Sequence, residues 1–356
     1  MISRKDDGSM WVSTVDGSMN PVEVFYRDMS GEEAAAMRSM ERIRERELFH
    51  VEWSTDDEKG GISLAENPQL LYQLARCSNL VLQDGNPVSV SKESTHAVIR
   101  LSTQDKGKKT MLQPELELAC VNFDDNGNCC NGRVGSDGES GATPLLLSDC
   151  FALSGHTIHP ISPLGDNYTQ LRVFLTTIDA GMVQEYLSVL FSYIDNIEVR
   201  YDNYTIERQE QEVKPRPTLL FEKVDADRTL YLRLVSQIKG LPVDFLQRFD
   251  INTVATLTDD RRITLRRVAG TRLDDSADTL RQQIVRHAPS REAAKQVYYD
   301  DDFLFIIPEA VAAPFLLSAL PQLLSEYQLI GADKLRDYKM RPVMPKLNVR
   351  LSSGID

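Results

Sequence analysis

Between Met111 and Val121 the chain reads MLQPELELACV, and the stretch Glu115-Leu116-Glu117-Leu118 alternates cleanly between polar and apolar. Only a strand sends successive side chains to opposite faces, so this segment packs one face and wets the other. Shorter runs of the same kind precede it at Val81-Leu82, Val88–Val90 and His96–Leu101, with breaks at Asp84-Gly85-Asn86 and at 104–109. Two hairpins are predicted further on. One pairs Leu219–Val224 with Leu230–Val235 around Asp225-Ala226-Asp227; the other pairs Thr253–Leu257 with Ile263–Val268 around 258–261. Additional strands are expected at Val22–Tyr26, Phe151–Leu153, Thr157–Pro160, Leu171–Leu175, Ile197–Tyr201 and Phe303–Ile307.

Helix signals lie among these strands. Ser30 and Glu33 have capping-box spacing, and a helix is predicted from there to about Phe49. Asn67-Pro68 starts another, with Leu70, Leu71 and Leu74 as its buried face. Asp179 caps a third, which carries Met182, Tyr186, Val189, Leu190, Tyr193 and Ile194 on one side. Two polar helices are expected at 275–287 and 290–298. Hairpins with interspersed helices define an α+β fold of mostly antiparallel sheets, not a doubly wound parallel one.

A chain of 356 residues has the length of two domains. The first is expected at 1–165, an N-terminal α+β domain. It includes 123–144 (FDDNGNCCNGRVGSDGESGATP), whose Gly, Asp, Asn and Ser read as a long mobile hairpin loop. The second is expected at 166–356, with a polar linker at 207–217. It ends at an interdomain boundary, because a strand that begins at Lys346 is cut short at Gly354-Ile355-Asp356. On that reading the chain is a fragment of a longer protein. The doubled DGSM at 7–10 and 16–19 is a turn composition, since nothing recurs at a longer period.

The formal net charge of −13 excludes a uniformly cationic face, so any nucleic-acid contact must be a local patch. Cys77, Cys120, Cys129, Cys130 and Cys150 are odd in number and contain no C-x-x-C, which fits a reducing cytoplasm and no disulfide framework. The first twenty residues have no apolar run of the secretory kind. The longest apolar window, Ala310 to Leu324, holds Pro314, Pro321 and Gln322 and is too short to span a bilayer, so no membrane partner is expected.

The motifs of familiar chemistry are incomplete. Gly107-Lys108-Lys109-Thr110 lacks the first glycine of a phosphate loop, where Ser102 stands, and has no helix behind it. Gly135, Gly138 and Gly141 are wrongly spaced for a dinucleotide fingerprint. The run Asn122, Asp124, Asn126, Gly127 opens like a calcium loop, but Arg133 occupies the position of the bidentate glutamate. Asp300-Asp301-Asp302 precedes a strand and reads as a solvated turn. Cys150, His156 and His159 form the one candidate metal or catalytic centre, against the plainer reading of two ordinary histidines at a strand edge. No cofactor is expected.

Two basic groups remain: Arg261, Arg262, Arg266 and Arg267, and then Lys334, Arg336, Lys339, Arg341, Lys346 and Arg350 near the end. Either could touch phosphates or form a solvated face.

The strings GHTIHPISPLGDNYTQLRVFLTT, NIEVRYDNY and KPRPTLLFEKVDADRTLYLRLV, and the closing LPQLLSEYQLIGADKLRDYKMRPVMPKLNVRLSSGID, resemble the non-catalytic region preceding the motor of bacterial Swi/Snf-family (superfamily II) helicase-like ATPases. The resemblance covers about Leu64 to Asp356, best from Phe151 onward. It implies a parent that hydrolyses ATP and translocates on double-stranded nucleic acid. The motor domains downstream in that parent would be this chain's partner, and no catalytic residue falls within it. The expectation is a non-enzymatic accessory module that positions or regulates the motor, with Lys334, Lys339, Arg341 and Lys346 as sequence-independent duplex contacts. The alternatives are a free-standing acidic protein-interaction or structural protein, and a metal-dependent enzyme centred on Cys150, His156 and His159.

Overall fold

A computed structural model describes residues 1–4, 10–13, 29–48, 62–64, 66–67, 69–107, 109–123, 129–133, 143–202, 204–270 and 273–338. The strands β1 (Ile2–Arg4) and β2 (Met10–Val12) pair antiparallel. The strand expected at 22–26 lies outside the described residues. Helix α1 (Gly31–Leu48) begins at the predicted capping box: Glu33 N donates to Ser30 Oγ at 3.2 Å, and Ser30 N donates to Glu33 Oε2 at 2.8 Å. Both bonds engage amides that have no partner within the helix itself. After β3 (Ile62–Ser63), α2 (Gln69–Leu74) buries Leu70, Leu71 and Leu74 as expected. Asn67 does not cap it through its side chain; Nδ2 donates to Ser63 O at 3.1 Å.

Beyond β4 (Ser89–Val90) come β5 (Thr95–Lys106) and β6 (Lys109–Phe123), both longer than predicted. The break expected at 104–109 shrinks to a two-residue turn in which Lys106 opposes Lys109 and Gly107 takes φ +68°. The apolar face ends before the hydrogen-bonded ladder does, so periodicity marks the strands too short. The stretch 123–144 is likewise not all loop: β7 (Cys129–Arg133) pairs with β6 from Ala119 to Phe123, while 124–128 and 134–142 lie outside the described residues.

Strands β8 (Leu145–Ser148), β9 (Phe151–Ser154) and β10 (Thr157–Pro160) follow. The strand predicted at 171–175 is instead helix α3 (Leu171–Phe174). Its buried Leu171 and Phe174 stand three apart, a helical spacing that so short an apolar run does not separate from a strand. After β11 (Ile178–Asp179), Asp179 Oδ1 accepts from Gly181 N at 2.9 Å and starts the turn into α4 (Val183–Tyr193). Met182, predicted on the packed side, is exposed.

Strand β12 (Glu198–Tyr201) leads to β13 (Thr205–Val213), which occupies most of the predicted polar linker. Nearly every residue of β13 is exposed, so it carries no apolar face for alternation to reveal. The first predicted hairpin is β14 (Arg216–Val224) with β15 (Leu230–Gln237); a short helix α5 (Phe245–Arg248) precedes the second, β16 (Thr253–Leu257) with β17 (Arg262–Val268). The remainder comprises α6 (Asp274–Arg286), α7 (Arg291–Lys295), β18 (Tyr298–Tyr299), β19 (Leu304–Ile307), α8 (Glu309–Ser318), α9 (Leu320–Leu323), β20 (Gln328–Ile330) and a 3-10 turn at Ala332–Tyr338. No helix among the described residues is long and apolar enough to cross a membrane.

The fold is α+β, and most strand pairs are antiparallel. It divides into two compact units, residues 1–208 with 253–265 and residues 209–252 with 266–356. The division therefore falls later than 165, because α4 and β12 complete a core begun by β5 and β6. In the first unit the sheet order is β11–β6–β5–β12, with β12 parallel to β5. Ala97, Ile99, Leu101, Leu112, Leu116 and Leu118 pack against Leu187, Leu190 and Ile194, and against Ala255, Ile263 and Leu265. A separate core gathers the small sheet β1–β2–β3, helices α1 and α2, and the sheet β4–β10–β9–β8.

One contact in the first unit joins a helix to a strand through hydrogen bonds. Leu257 N donates to Gln184 Oε1 at 2.9 Å, Ala255 N to Ser188 Oγ at 2.9 Å, and Thr253 N to Ser192 Oγ at 3.0 Å. Each serine hydroxyl donates back to the carbonyl four residues earlier, at 2.6 and 2.7 Å. Four helical residues rise about 6.0 Å. Two strand residues rise about 6.6 Å. The two repeats match over two steps and three bonds, so α4 closes the outer edge of β16 as another strand would.

In the second unit the sheet order is β18–β19–β15–β14–β20, parallel only at β14–β20. Leu219, Phe221, Leu230, Leu232, Leu234, Phe305 and Ile307 line one face. Ala277, Leu280 and Ile284 of α6, with Val311, Ala312, Phe315 and Leu316 of α8, cover it. The result is two layers around one core.

Candidate functional site

Of the four predicted duplex contacts, the structure describes Lys334; Lys339, Arg341 and Lys346 lie outside the described residues. Lys334 is exposed on the 3-10 turn that follows β20. Buried Leu335 anchors that turn in the core of the second unit. Gly331 sets its direction, with φ +77° and a position at which a Cβ would collide with Phe221 O. Lys334 Nζ donates to Glu222 O at 2.6 Å, so the ammonium spends one of its three donors on a carbonyl and keeps its charge at the surface. Beside it, Arg233 pairs with the Glu222 carboxylate and donates to Asp302 O at 3.1 Å. Lys223 stands over the Tyr231 ring at 4.1 Å. The sheet edge thus offers Lys334 and Lys223 as surface cations, while Arg233 is tied down by acid.

The other basic group behaves differently. Arg262 pairs with Asp260 across the β16–β17 turn, where Thr258 also hydrogen-bonds Asp260. Its charge is locally neutralised.

Cys150, His156 and His159 do not converge. Cys150 sits in the turn between β8 and β9, with Tyr72 Oη and Ser148 Oγ each 3.6 Å from its sulfur. Burial pushes its thiol up, and hydrogen bonds from Ser148 and Tyr72 offset only part of that. A protonated thiol is a poor ligand and a poor nucleophile. His156 is at the β9–β10 turn, half exposed, with Nε2 4.0 Å from Asp84 Oδ2. His159 lies buried on β10, opposite Ala152, with Nδ1 lacking a hydrogen-bond partner among the described residues. Burial holds that imidazole below its ordinary range, against a smaller upward pull from Glu93. Among the described residues no three His, Cys, Asp or Glu side chains gather as a metal site would need. The aspartates at 300–302 form the expected turn, with Asp300 Oδ1 accepting from Asp302 N and Leu304 N.

Sequence reasoning missed one polar constellation. His96, Val98 and Arg100 lie on the face of β5 opposite Ala97, Ile99 and Leu101, with Val98 itself buried; the parallel register sets Glu198 beside Val98 and Arg200 beside Arg100. His96 Nε2 and Glu198 Oε2 are 2.6 Å apart, and Arg200 Nε donates to Glu198 Oε1 at 2.6 Å. Arg100 approaches Glu117 of β6 at 3.7 Å. Burial alone would raise the Glu198 pKa, but hydrogen bonds from Arg200 and His96 outweigh it and hold the carboxylate below its usual range. The carboxylate is held ionised between two donors, which makes it a strand-to-strand tie and not a general acid. The signal was present in the alternations HAVIR and IEVRY, but only the register β5–β12 brings them together.

In comparisons with protein-family models, curated proteins and solved structures, none matched this chain.

Proposed function

We propose that this chain is a non-catalytic, cytoplasmic α+β module accessory to a Swi/Snf-type nucleic-acid motor, which it positions or regulates. The reading rests first on the resemblance of its strings from Phe151 onward to the region preceding such motors. The structural observation that carries it is Lys334: an exposed ammonium on an anchored turn at the edge of the second unit, leading into Lys339, Arg341 and Lys346. A surface cation on an anchored turn can contact a phosphate and help hold a duplex in register without reading its sequence.

The test is binding of the chain to duplex DNA over a salt series. Each phosphate that a substitution leaves without its cation should flatten the slope of log K against log salt by about 0.9. Changing Lys334, Lys339, Arg341 and Lys346 to Glu together should remove most of that slope. Binding that is unchanged, or absent from the start, leaves the duplex-guiding role without support. The metal-enzyme alternative loses ground to the divergence of Cys150, His156 and His159, and metal analysis of the purified chain checks it. The protein-interaction alternative draws on the exposed Leu317 and Leu324 of the second unit.

A further inference from the structure

Helices α6 and α8 cover one face of the second unit's sheet, and the strand registers define what the other face carries. Phe221, Leu232 and Phe305 are buried in the core, so their neighbours along each strand point outward. Tyr298 pairs with Ile306, Ile306 with Tyr231, and Tyr231 with Lys223, which sets these four in one row across β18, β19, β15 and β14. The next row is Leu304, Arg233, Leu220 and Ile330. Helix α5 packs against β15, and Val235 and Thr218, further along the same face, are fully buried. The two rows stay open: Tyr298 is 56% exposed, Lys223 is exposed, and the rest are half-buried.

The outward face of a sheet backed on one side is ordinarily polar. Here it holds two tyrosines and four aliphatic side chains. Its charges are cationic where they are not already paired. Glu222 is taken up by Arg233. The Lys223 ammonium lies over the Tyr231 ring, and Lys334 Nζ, at the β20 end, donates to a backbone carbonyl; neither is paired with a carboxylate among the described residues. Rings that take a planar group, beside cations that take an anion, match the two halves of a nucleotide. In a duplex the bases stack on one another; in a single strand they are free to stack on side chains. Tyr298 and Tyr231 are on strands two apart, about 9.6 Å between backbones, so an unstacked strand laid across the sheet meets both. A stacked base outweighs an exposed cation–π contact, so it displaces Lys223 from Tyr231 and frees the ammonium for a phosphate. In a chain of net charge −13, a polyanion needs such a local cationic face.

We propose that the open face of this sheet binds single-stranded nucleic acid, with Tyr298 and Tyr231 stacking bases and Lys223 and Lys334 holding phosphates. This goes beyond the duplex contact and does not depend on the motor reading.

Fluorescence anisotropy of a labelled oligothymidylate of about a dozen nucleotides, titrated with the full chain, tests it. The unsubstituted chain should bind, with an affinity that falls as salt rises. Tyr298→Ala should weaken binding at least about fivefold, and Tyr298→Phe, which keeps the ring, should leave it as it was. Tyr298 is exposed, so both variants should keep their far-ultraviolet circular dichroism. Tyr72→Ala removes an equally exposed ring of the first unit and should leave binding unchanged. Lys223→Gln should flatten the slope of log K against log salt by about 0.7, the share of one phosphate of a single strand. No binding of the oligonucleotide, or binding indifferent to Tyr298→Ala, overturns the inference, and the face then serves a different partner. Tyr72→Ala weakening binding as much as Tyr298→Ala overturns it as well. A duplex titrated alongside separates the inference from the motor reading. Duplex bound where the single strand is not overturns the inference alone. A single strand bound through Tyr298 supports it even where charge reversal at Lys334, Lys339, Arg341 and Lys346 leaves duplex binding untouched.

Discussion

Gly331 and Glu198 show how single residues carry structural demands that their neighbours impose. At Gly331 a positive φ coincides with the carbonyl of Phe221 standing where a Cβ would be. Gly331→Ala should cost about 1–3 kcal/mol from the backbone alone, more once β14 shifts, and urea unfolding monitored by fluorescence measures it. Glu198 has the opposite character, since its value lies in its charge. Its folded-state pKa is depressed, so its contribution is present above the ordinary carboxylate pKa and disappears as pH falls through the folded value. The stability gap between the unsubstituted chain and Glu198→Gln should therefore be largest near neutrality. It should close as pH falls below the ordinary carboxylate range, as read from melting temperature against pH.

At the scale of elements, the bond ladder between α4 and β16 is the feature with the clearest consequence. Ser188 is fully buried, and Ala255 is nearly so. Ser188→Ala leaves the Ala255 amide without an acceptor in a dry place, at a cost of about 1–3 kcal/mol. Hydrogen exchange offers the sharper measurement: the Ala255 amide should lose protection well beyond the global change, while amides of β5 should follow the global change alone. Edge strands are usually kept from pairing by charge, proline or bulges. Here a helix does it with two serines and a glutamine, which leaves β16 unable to accept a further strand on that side. Loss of the Ser30 cap is a milder matter. Ser30→Ala should cost about 1 kcal/mol, because the capping box at α1 is exposed and local.

At the scale of the molecule, the first unit is discontinuous in sequence: β16 and the start of β17 return to it after an excursion of more than forty residues. A fragment ending at residue 165 would keep β5 and β6 but lose α4, β12 and the return of Ala255, Ile263 and Leu265. Such a fragment should fail to unfold cooperatively in a thermal melt. It should also expose the apolar face of β5 and β6 to dye binding, since that face would have nothing to pack against.

Local chemistry was legible where a short stretch of chain contains the whole cause. The Ser30–Glu33 box, the Asp179 cap, the two hairpins and the α+β class all follow from periodicity and turn residues within a few positions. Period two became silent where no face is buried, as in β13, and ambiguous where the run is short, as in α3. The rest depended on partners distant in sequence. The His96–Glu198 tie needs a parallel register across 102 residues, and the closure of β16 needs a helix whose pitch happens to match the strand. The sequence by itself determined which segments extend, which coil and where they turn, because those preferences reside in neighbouring residues. The tertiary structure alone decided which polar side chains became fastenings and which sheet face was left open, because burial and register arise only when distant segments meet.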